Sequence, residues 1–535
     1  MSLTSIPYLL LVFFAVIVYY LVSQRMQPWV LLAVSLFFYS TFDLRYFIFL
    51  GFSILTSYFI AIQMQREEEK GKKRLWLIAG LLLNLGLLFF IKQYAACASL
   101  FSRAMGKLGI PVQLPLFDMI APVGISFYTL TVAAYCVDAY HGKITAQRNL
   151  AKYALYVSFF PCILQGPILR YAPLEDSLFS EKGKKKFDYT QFTFGLQLML
   201  WGFFKKLVIA DRVAYLVNHI FSNYSEYSGF VLLVGAICYS LQIYTDFSGC
   251  VDIVRGTAQT LQIELPHNFR QPYFATSIAD FWRRWHMTLS SWLRDYVYIP
   301  LGGNRKGTWR KYLNIVIVFF ISGLWHGAGL NFMFWGLLHG VYQVLGQMLK
   351  TPREWIAKRL GMGSNLSVEQ YAMRHRCRKA FQMLITFSLV SFAWIFFRMA
   401  GLRGGIEYVR NMFPLDNPWI FSDQTLFQLG LNSSDFIALC VFTLVLVAVD
   451  ILQRKYCIRE KIAQMPMIVR WPIYLTGVVV VVVYGILARV MWLRTLSMEA
   501  FNDDKNAKPE DSLFFLIGFN PFVFWRKDIP TKVDI

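Results

Sequence analysis

The sequence predicts an all-α, polytopic membrane protein, a helical bundle with roughly eleven to thirteen membrane-embedded passes or re-entrant segments. Three observations carry this expectation. The 535 residues are 56% hydrophobic and only 16% charged, against about 25% charged in soluble domains. Long apolar runs recur, among them Tyr8–Val22, Trp76–Ile91, Phe194–Trp201, Phe230–Ile243 and Tyr474–Leu487. The basic residues behind the net charge of +21 cluster between those runs, which is the loop pattern of membrane proteins and excludes nucleic-acid binding as the reason for the charge.

In chain order, the first apolar run lacks a basic flank before it, and its first positive charge, Arg25, follows it. This predicts an uncleaved first span with the N-terminus outside. Two further passes, near Trp29–Tyr39 and Phe47–Ile62, then put Arg66–Arg74 on the cytoplasmic side. The basic stretches Glu181–Lys186, Arg305–Lys311 and Arg374–Lys379 share that loop character. No solenoid repeat is visible, so residues 1–535 read as one membrane domain. Residues 1–117 are plain apolar helices, and 118–345 hold helices interrupted by polar, aromatic and Gly/Pro-rich stretches. Residues 346–535 start basic and end in plain spans, with an interfacial tail expected over 502–535. The eight cysteines are scattered without a CxxC, which gives neither a disulfide framework nor a zinc site.

The middle third carries the chemistry. Asp246, Asp252 and Arg255 follow an apolar span, where ionisable groups face a cavity or one another. Asp252 and Arg255 have the i,i+3 spacing of a helical ion pair. Ser277 to Asp280 resembles a capping box, and a single helix from there to about Tyr296 is expected. At 100° per residue it places Trp282, Trp285, Leu289, Trp292 and Tyr296 on one face, and Arg283, His286, Ser290 and Arg294 on another. An interfacial helix with a solvated polar side gives the same pattern. The glycines of Pro300–Gly307 suit either a phosphate cradle or a plain turn.

His326 ends an apolar span and is followed by Gly327, Ala328 and Gly329, small residues that allow close approach. On a continuous helix His339 lies about 220° round from it, so the two do not form an i,i+4 metal pair, and no metal site is expected. A neutral imidazole in a dry cavity takes a proton from a hydroxyl, the step that acyl transfer to an alcohol requires. A hydrogen-bonded core histidine is the plain alternative.

Several stretches together resemble the membrane-bound O-acyltransferase family: PVGISFYT (Pro122–Thr129), QGPILRY (Gln165–Tyr171), TDFSG (Thr245–Gly249), Asp280–Arg305 and WHGAG (Trp325–Gly329). The likeness covers roughly residues 1–500 and is strongest to the bacterial branch that acetylates alginate, peptidoglycan and cellulose. It implies a bundle around a funnel or tunnel, with His326 and His286 as catalytic residues. Arg283, Ser290, Trp325 and Asp246 are the expected substrate contacts. It further implies an acyl thioester donor such as acetyl-CoA, with no bound cofactor. An extracytoplasmic partner acyltransferase and a cell-surface polysaccharide are the implied partners, and the bacterial cytoplasmic membrane the implied location. D-Alanyl transfer from a carrier protein to teichoic acid is the alternative. A transporter or flippase would show inverted repeats, which the sequence lacks. The role of His339 stays open.

Overall fold

The computed structural model describes residues 1–110, 112, 114–116, 121–179, 186–359 and 368–485. The expected tail over 502–535 and most of Glu181–Lys186 lie outside the described residues. Within them every regular element is helical. The chain opens with α1 (Ile6–Leu21), α2 (Gln27–Ser40), α3 (Tyr46–Arg66), α4 (Lys70–Lys107), α5 (Ile125–Tyr140), α6 (Leu150–Ser158) and α7 (Tyr171–Phe179). It continues with α8 (Tyr189–Phe203), which runs through a π-helical turn at Phe204–Ala210 into α9 (Asp211–Ser222), then α10 (Gly229–Thr260). Two short helices, α11 (Ile278–Trp282) and α12 (Met287–Leu293), lead to a second π-helical turn at Arg294–Tyr298. The rest comprises α13 (Thr308–His326), α14 (Leu330–Met348), α15 (Lys350–Arg359), α16 (Val368–Arg398), α17 (Leu402–Met412), α18 (Ser433–Gln453), α19 (Ile458–Ala463) and α20 (Met467–Tyr484).

Seven helical stretches among the described residues are long and apolar enough to cross a membrane: those at 46–66, 70–107, 189–222, 229–260, 373–398, 433–453 and 467–484. The larger number expected from apolar runs takes in shorter helices, such as α1 and α2, and segments that enter the bundle and turn back. The first of these leaves α5, descends through α6, bends at Phe159–Gly166 and returns to Tyr171. Entry and exit meet where Gln147 Nε2 donates to the Tyr171 hydroxyl at 2.9 Å. Deep in the bundle the Phe160 amide donates to Ser35 Oγ of α2 at 3.1 Å. The bend touches Gly124, whose φ is +82° and where a Cβ would stand 2.1 Å from the Ile163 carbonyl oxygen. Only glycine satisfies both constraints. The second segment runs from the end of α10 through α11 and α12 and back to Tyr296, which donates to Asp138 Oδ2 at 2.6 Å.

Helices α8 and α10 pack antiparallel with their backbones nearly touching. A Cβ on Gly195 would lie 2.7 Å from the Gly256 carbonyl oxygen, and one on Gly202 2.6 Å from that of Gly249. In lipid, where apolar burial does not drive helices together, such small-residue contacts let dispersion and backbone proximity hold the pair.

Among the described residues the basic loops gather at one end. Lys73 of α4 sits 6.0 Å over the ring of Tyr140, the last residue of α5. α13 runs from that end towards the other, where the N-terminus of α14 meets the C-terminus of α16 through Asn331, a donor to the Phe396 and Met399 carbonyls at 3.2 and 3.0 Å. Arg66–Arg74 and Arg374–Lys379 therefore share an end. Tyr20, near the end of α1, donates to the Thr260 carbonyl at the end of α10 at 2.9 Å, leaving the N-terminus at the opposite end, as the loop charges predict.

Cys377 lies exposed within Arg374–Lys379. With the other cysteines replaced, it should resist a membrane-impermeant maleimide in intact cells and label fully once they are permeabilised. Labelling from outside would reverse the orientation.

Candidate active site

The site is built where α13 stops. His326 is its last residue, and Gly327 continues in extended conformation (φ −175°, ψ 170°). The half-buried imidazole is enclosed by rings. Its centroid lies 4.7 Å from that of Trp325, 5.1 Å from Trp335 and 5.1 Å from Phe397. Trp325 is itself fixed, since its Nε1 donates to the Ser126 carbonyl at 3.3 Å, which ties the WHGAG stretch to PVGISFYT.

His286 approaches the same indole, 6.1 Å from Trp325 between centroids. The expected single helix from Ser277 to Tyr296 is not formed. Ser277 does cap its start, accepting from the Asp280 amide at 3.1 Å, but the chain breaks after Trp282. His286 adopts a left-handed backbone (φ +43°) at the head of α12. The helical-wheel grouping therefore fails, and its members part. His286 is 2% exposed, whereas the Arg283 side chain is 72% exposed and pairs with Asp280 at 3.5 Å. The Arg294 side chain is likewise exposed. Half-buried Ser290 donates back to the Trp285 carbonyl at 3.4 Å. The aromatic face behaves as expected of a buried face: Trp282, Trp285, Leu289 and Trp292 are all buried.

The break is held by Asn268, a residue the sequence reading did not single out. Its Oδ1 accepts from Thr288 Oγ1 at 2.7 Å, from the Thr288 amide at 3.0 Å and from His286 Nδ1 at 3.4 Å. Its carbonyl accepts from the Met287 amide at 3.0 Å. Asn268 thus caps α12 from outside the helix. With Nδ1 donating, the His286 ring is the tautomer that leaves Nε2 as an acceptor. That atom is buried and has no partner among the described residues, so it is a ready acceptor for a substrate hydroxyl.

His339 joins the cluster through a different route. Because α13 and α14 are separate helices, His326 and His339 both face Trp335, whose centroid is 5.1 Å from each. Trp282 Nε1 donates to His339 Nδ1 at 3.2 Å. The His339 lone pair is thereby occupied, and the ring braces α11 against α14.

Asp246 does not join the histidines. It is buried against the π-helical turn, 2.6 Å from Lys206, which also pairs with Asp211 at 2.8 Å. The neighbouring Lys205 reaches Asp252 at 2.6 Å, and Asp252 also meets Arg255, as its spacing predicted, at 3.8 Å. The adjacent Lys205 and Lys206 thus both turn inwards, and no pattern of apolar runs signals this. The glycines of Pro300–Gly307 form a plain turn: the Gly302 and Gly303 amides donate within it, to Ile299 and Tyr298, which leaves no cradle.

Removing Asn268 strands the groups it serves. Asn268→Ala should cost about 1–3 kcal/mol for the buried donors left unpaired. This is measurable as a lower melting temperature of the detergent-solubilised protein. Arg283→Ala should leave the melting temperature unchanged. An unaltered melting temperature in Asn268→Ala would show that Asn268 does not hold the break.

Comparison with known proteins places the chain in a family. The profile of the membrane-bound O-acyltransferase family matches residues 17–357, a span that contains the three histidines of the site and Asn268. A peptidoglycan O-acetyltransferase of Helicobacter pylori is 35% identical over 419 residues, covering 72% of this chain and 74% of the relative. A probable alginate O-acetylase of Pseudomonas aeruginosa is 32% identical over 429 residues, covering 80% and 76%. A teichoic acid D-alanyltransferase of Bacillus subtilis is 27% identical over 293 residues, covering 53% and 70%. The chain with its histidine at the end of a broken helix belongs to the membrane-bound O-acyltransferase family.

Proposed function

We propose that this protein is an O-acetyltransferase of the bacterial cytoplasmic membrane, moving an acetyl group from a cytoplasmic thioester to an acceptor on the far side for O-acetylation of a cell-surface polysaccharide. The observation that carries the reading is the placement of His326 and His286. Two imidazoles contact one indole at a helix end, one half-buried and the other offering an unpartnered acceptor nitrogen. Acetyl-CoA is the proposed donor and enters from the end with the basic loops. The acceptor approaches along a passage from the opposite end, and is either the polysaccharide or a hydroxyl of an extracytoplasmic partner acyltransferase.

The chemistry follows from the groups present. The acceptor hydroxyl oxygen attacks the thioester carbonyl carbon while His326 takes its proton. The C–S bond breaks, the acyl–oxygen ester forms, and the proton passes from the imidazole to the departing thiolate, so no net acid or base is consumed. General base catalysis of this kind contributes ~10²–10⁴-fold in rate. His286 orients the hydroxyl through Nε2. The two O-acetylating relatives support acetyl as the group transferred, and the D-alanyltransferase supports the second reading.

His326→Ala should abolish acylation while the protein inserts and accumulates normally. His326→Gln keeps hydrogen bonding without basicity and should be nearly as inactive. The measurement is the acetate and D-alanine released from cell envelopes by mild alkali, with membrane protein level as control. Acetate lost in the variants fits the proposed reading. Loss of alanine alone would transfer the assignment to the second. Near-normal acylation in His326→Gln would make the ring a binding group, and near-normal acylation in His326→Ala would end its catalytic assignment.

A further inference from the structure

Between Arg74 and Arg103 the sequence of α4 contains one charged residue, Lys92. An ammonium inside a membrane span is costly, and such groups persist where they serve a site. Lys92 Nζ donates to the main-chain oxygen of Trp325 at 2.7 Å. The adjacent Gln93 Nε2 donates to the Leu324 oxygen at 2.6 Å. These are two of the last carbonyls of α13, the groups that a helix end leaves without an intrahelical partner. Lys92 also stands 5.5 Å over the Trp325 ring, the indole that both His326 and His286 contact.

The two contacts differ in kind. A neutral amide is enough to satisfy a carbonyl, and Gln93 supplies one. Lys92 adds a second donor and, when protonated, a positive charge at the negative end of the α13 dipole, on the residue immediately before His326. Its contacts to both the backbone and the ring of Trp325 fix the last turn of α13 in rotation as well as in height. The direction of the His326 ring follows from that turn, because Gly327 beyond it offers no side-chain packing.

We propose that Lys92 is a positioning residue for acyl transfer, holding the end of α13 so that His326 faces the reacting hydroxyl. This rests on the reading of His326 as the base. A displacement of about 1 Å at such a centre costs roughly 10²-fold in rate. That is the effect expected when the ammonium is lost.

The test uses the full chain in cells, with alkali-released acetate and D-alanine from the envelope as the readout. Lys92→Met keeps the length and apolar stem but removes donor and charge. It should lower acylation by about 10²-fold at normal membrane level, while the Trp325 carbonyl left without its donor lowers the melting temperature of the purified protein by only a few degrees. Lys92→Arg retains charge and donors and should restore most of the activity, a rescue that loss of packing alone would not produce. If Lys92→Met fails to accumulate, Lys92→Gln decides instead, with a comparable loss at normal melting temperature expected. Wild-type acylation in the well-folded Met or Gln variant would overturn the proposal, as would an Arg variant as inactive as Met. His326→Ala is assayed alongside. If it is inactive while Lys92→Met is fully active, positioning by Lys92 fails and the base assignment stands. If His326→Ala remains active, the base assignment itself falls.

Discussion

Helices that stop inside an apolar bundle leave backbone groups with neither a helical partner nor water, and this structure is organised around supplying those partners from elsewhere in the chain. α4 caps the end of α13 through Lys92 and Gln93. Asn268 caps the start of α12. Asn331 of α14 takes the last carbonyls of α16, and Arg212 of α9 takes the Tyr484 carbonyl at the end of α20 at 2.9 Å. Each capping side chain comes from outside the helix it caps. The polar contacts that permit broken helices are thus also the contacts that join them, and the histidines stand at two of these junctions.

The buried charges follow the same economy. Lys205, Asp252 and Arg255 form one ionic group and Lys206, Asp211 and Asp246 another, side by side between the π-helical turn and α10. A buried ion pair gives little net stability relative to apolar packing, but removing one partner is severe because the other is left without compensation. The π-helical turn is what presents both lysines to α10, in keeping with the frequent placement of such turns beside functional sites. The carboxylate of Asp246 serves this junction, while Phe247, the next residue, packs against His286 with centroids 4.8 Å apart. One turn of α10 therefore touches both the ionic cluster and the site.

Much of this was legible in the sequence. Apolar runs marked the spanning helices, loop charges gave the shared end, and the serine at 277 marked a true helix start, whereas the glycines after His326 read only as room for close approach. The failures have a common cause. The stretch from Arg283 to Trp292 contains no proline or glycine, and its hydrophobic periodicity runs straight through the break at His286, which tertiary bonds to Asn268 impose. Lys92 reads as the edge of an apolar run, although α4 continues to Lys107. Lys205 and Lys206 look like the start of a loop, because the α10 carboxylates they meet lie forty or more residues away along the chain. Periodicity records which face a residue occupies, and these residues are defined by a partner that local pattern does not contain.

The close seam between α8 and α10 has a consequence for how the chain can change over evolutionary time. Gly195, Gly202 and Lys206 on one side of this seam meet Gly256, Gly249 and Asp246 on the other, in descending order, and Lys205 reaches back to Asp252. Substitutions on the outward faces leave that correspondence intact. A single inserted or deleted residue between Gly195 and Lys206, or between Asp246 and Gly256, would rotate the remainder by a full helical step. It would drive side chains into the backbone contacts and turn the lysines away from their carboxylates together. Tolerance here is thus to changes of residue and not of length, and the spacing along these two helices is a stricter signature of the architecture than any one residue on them.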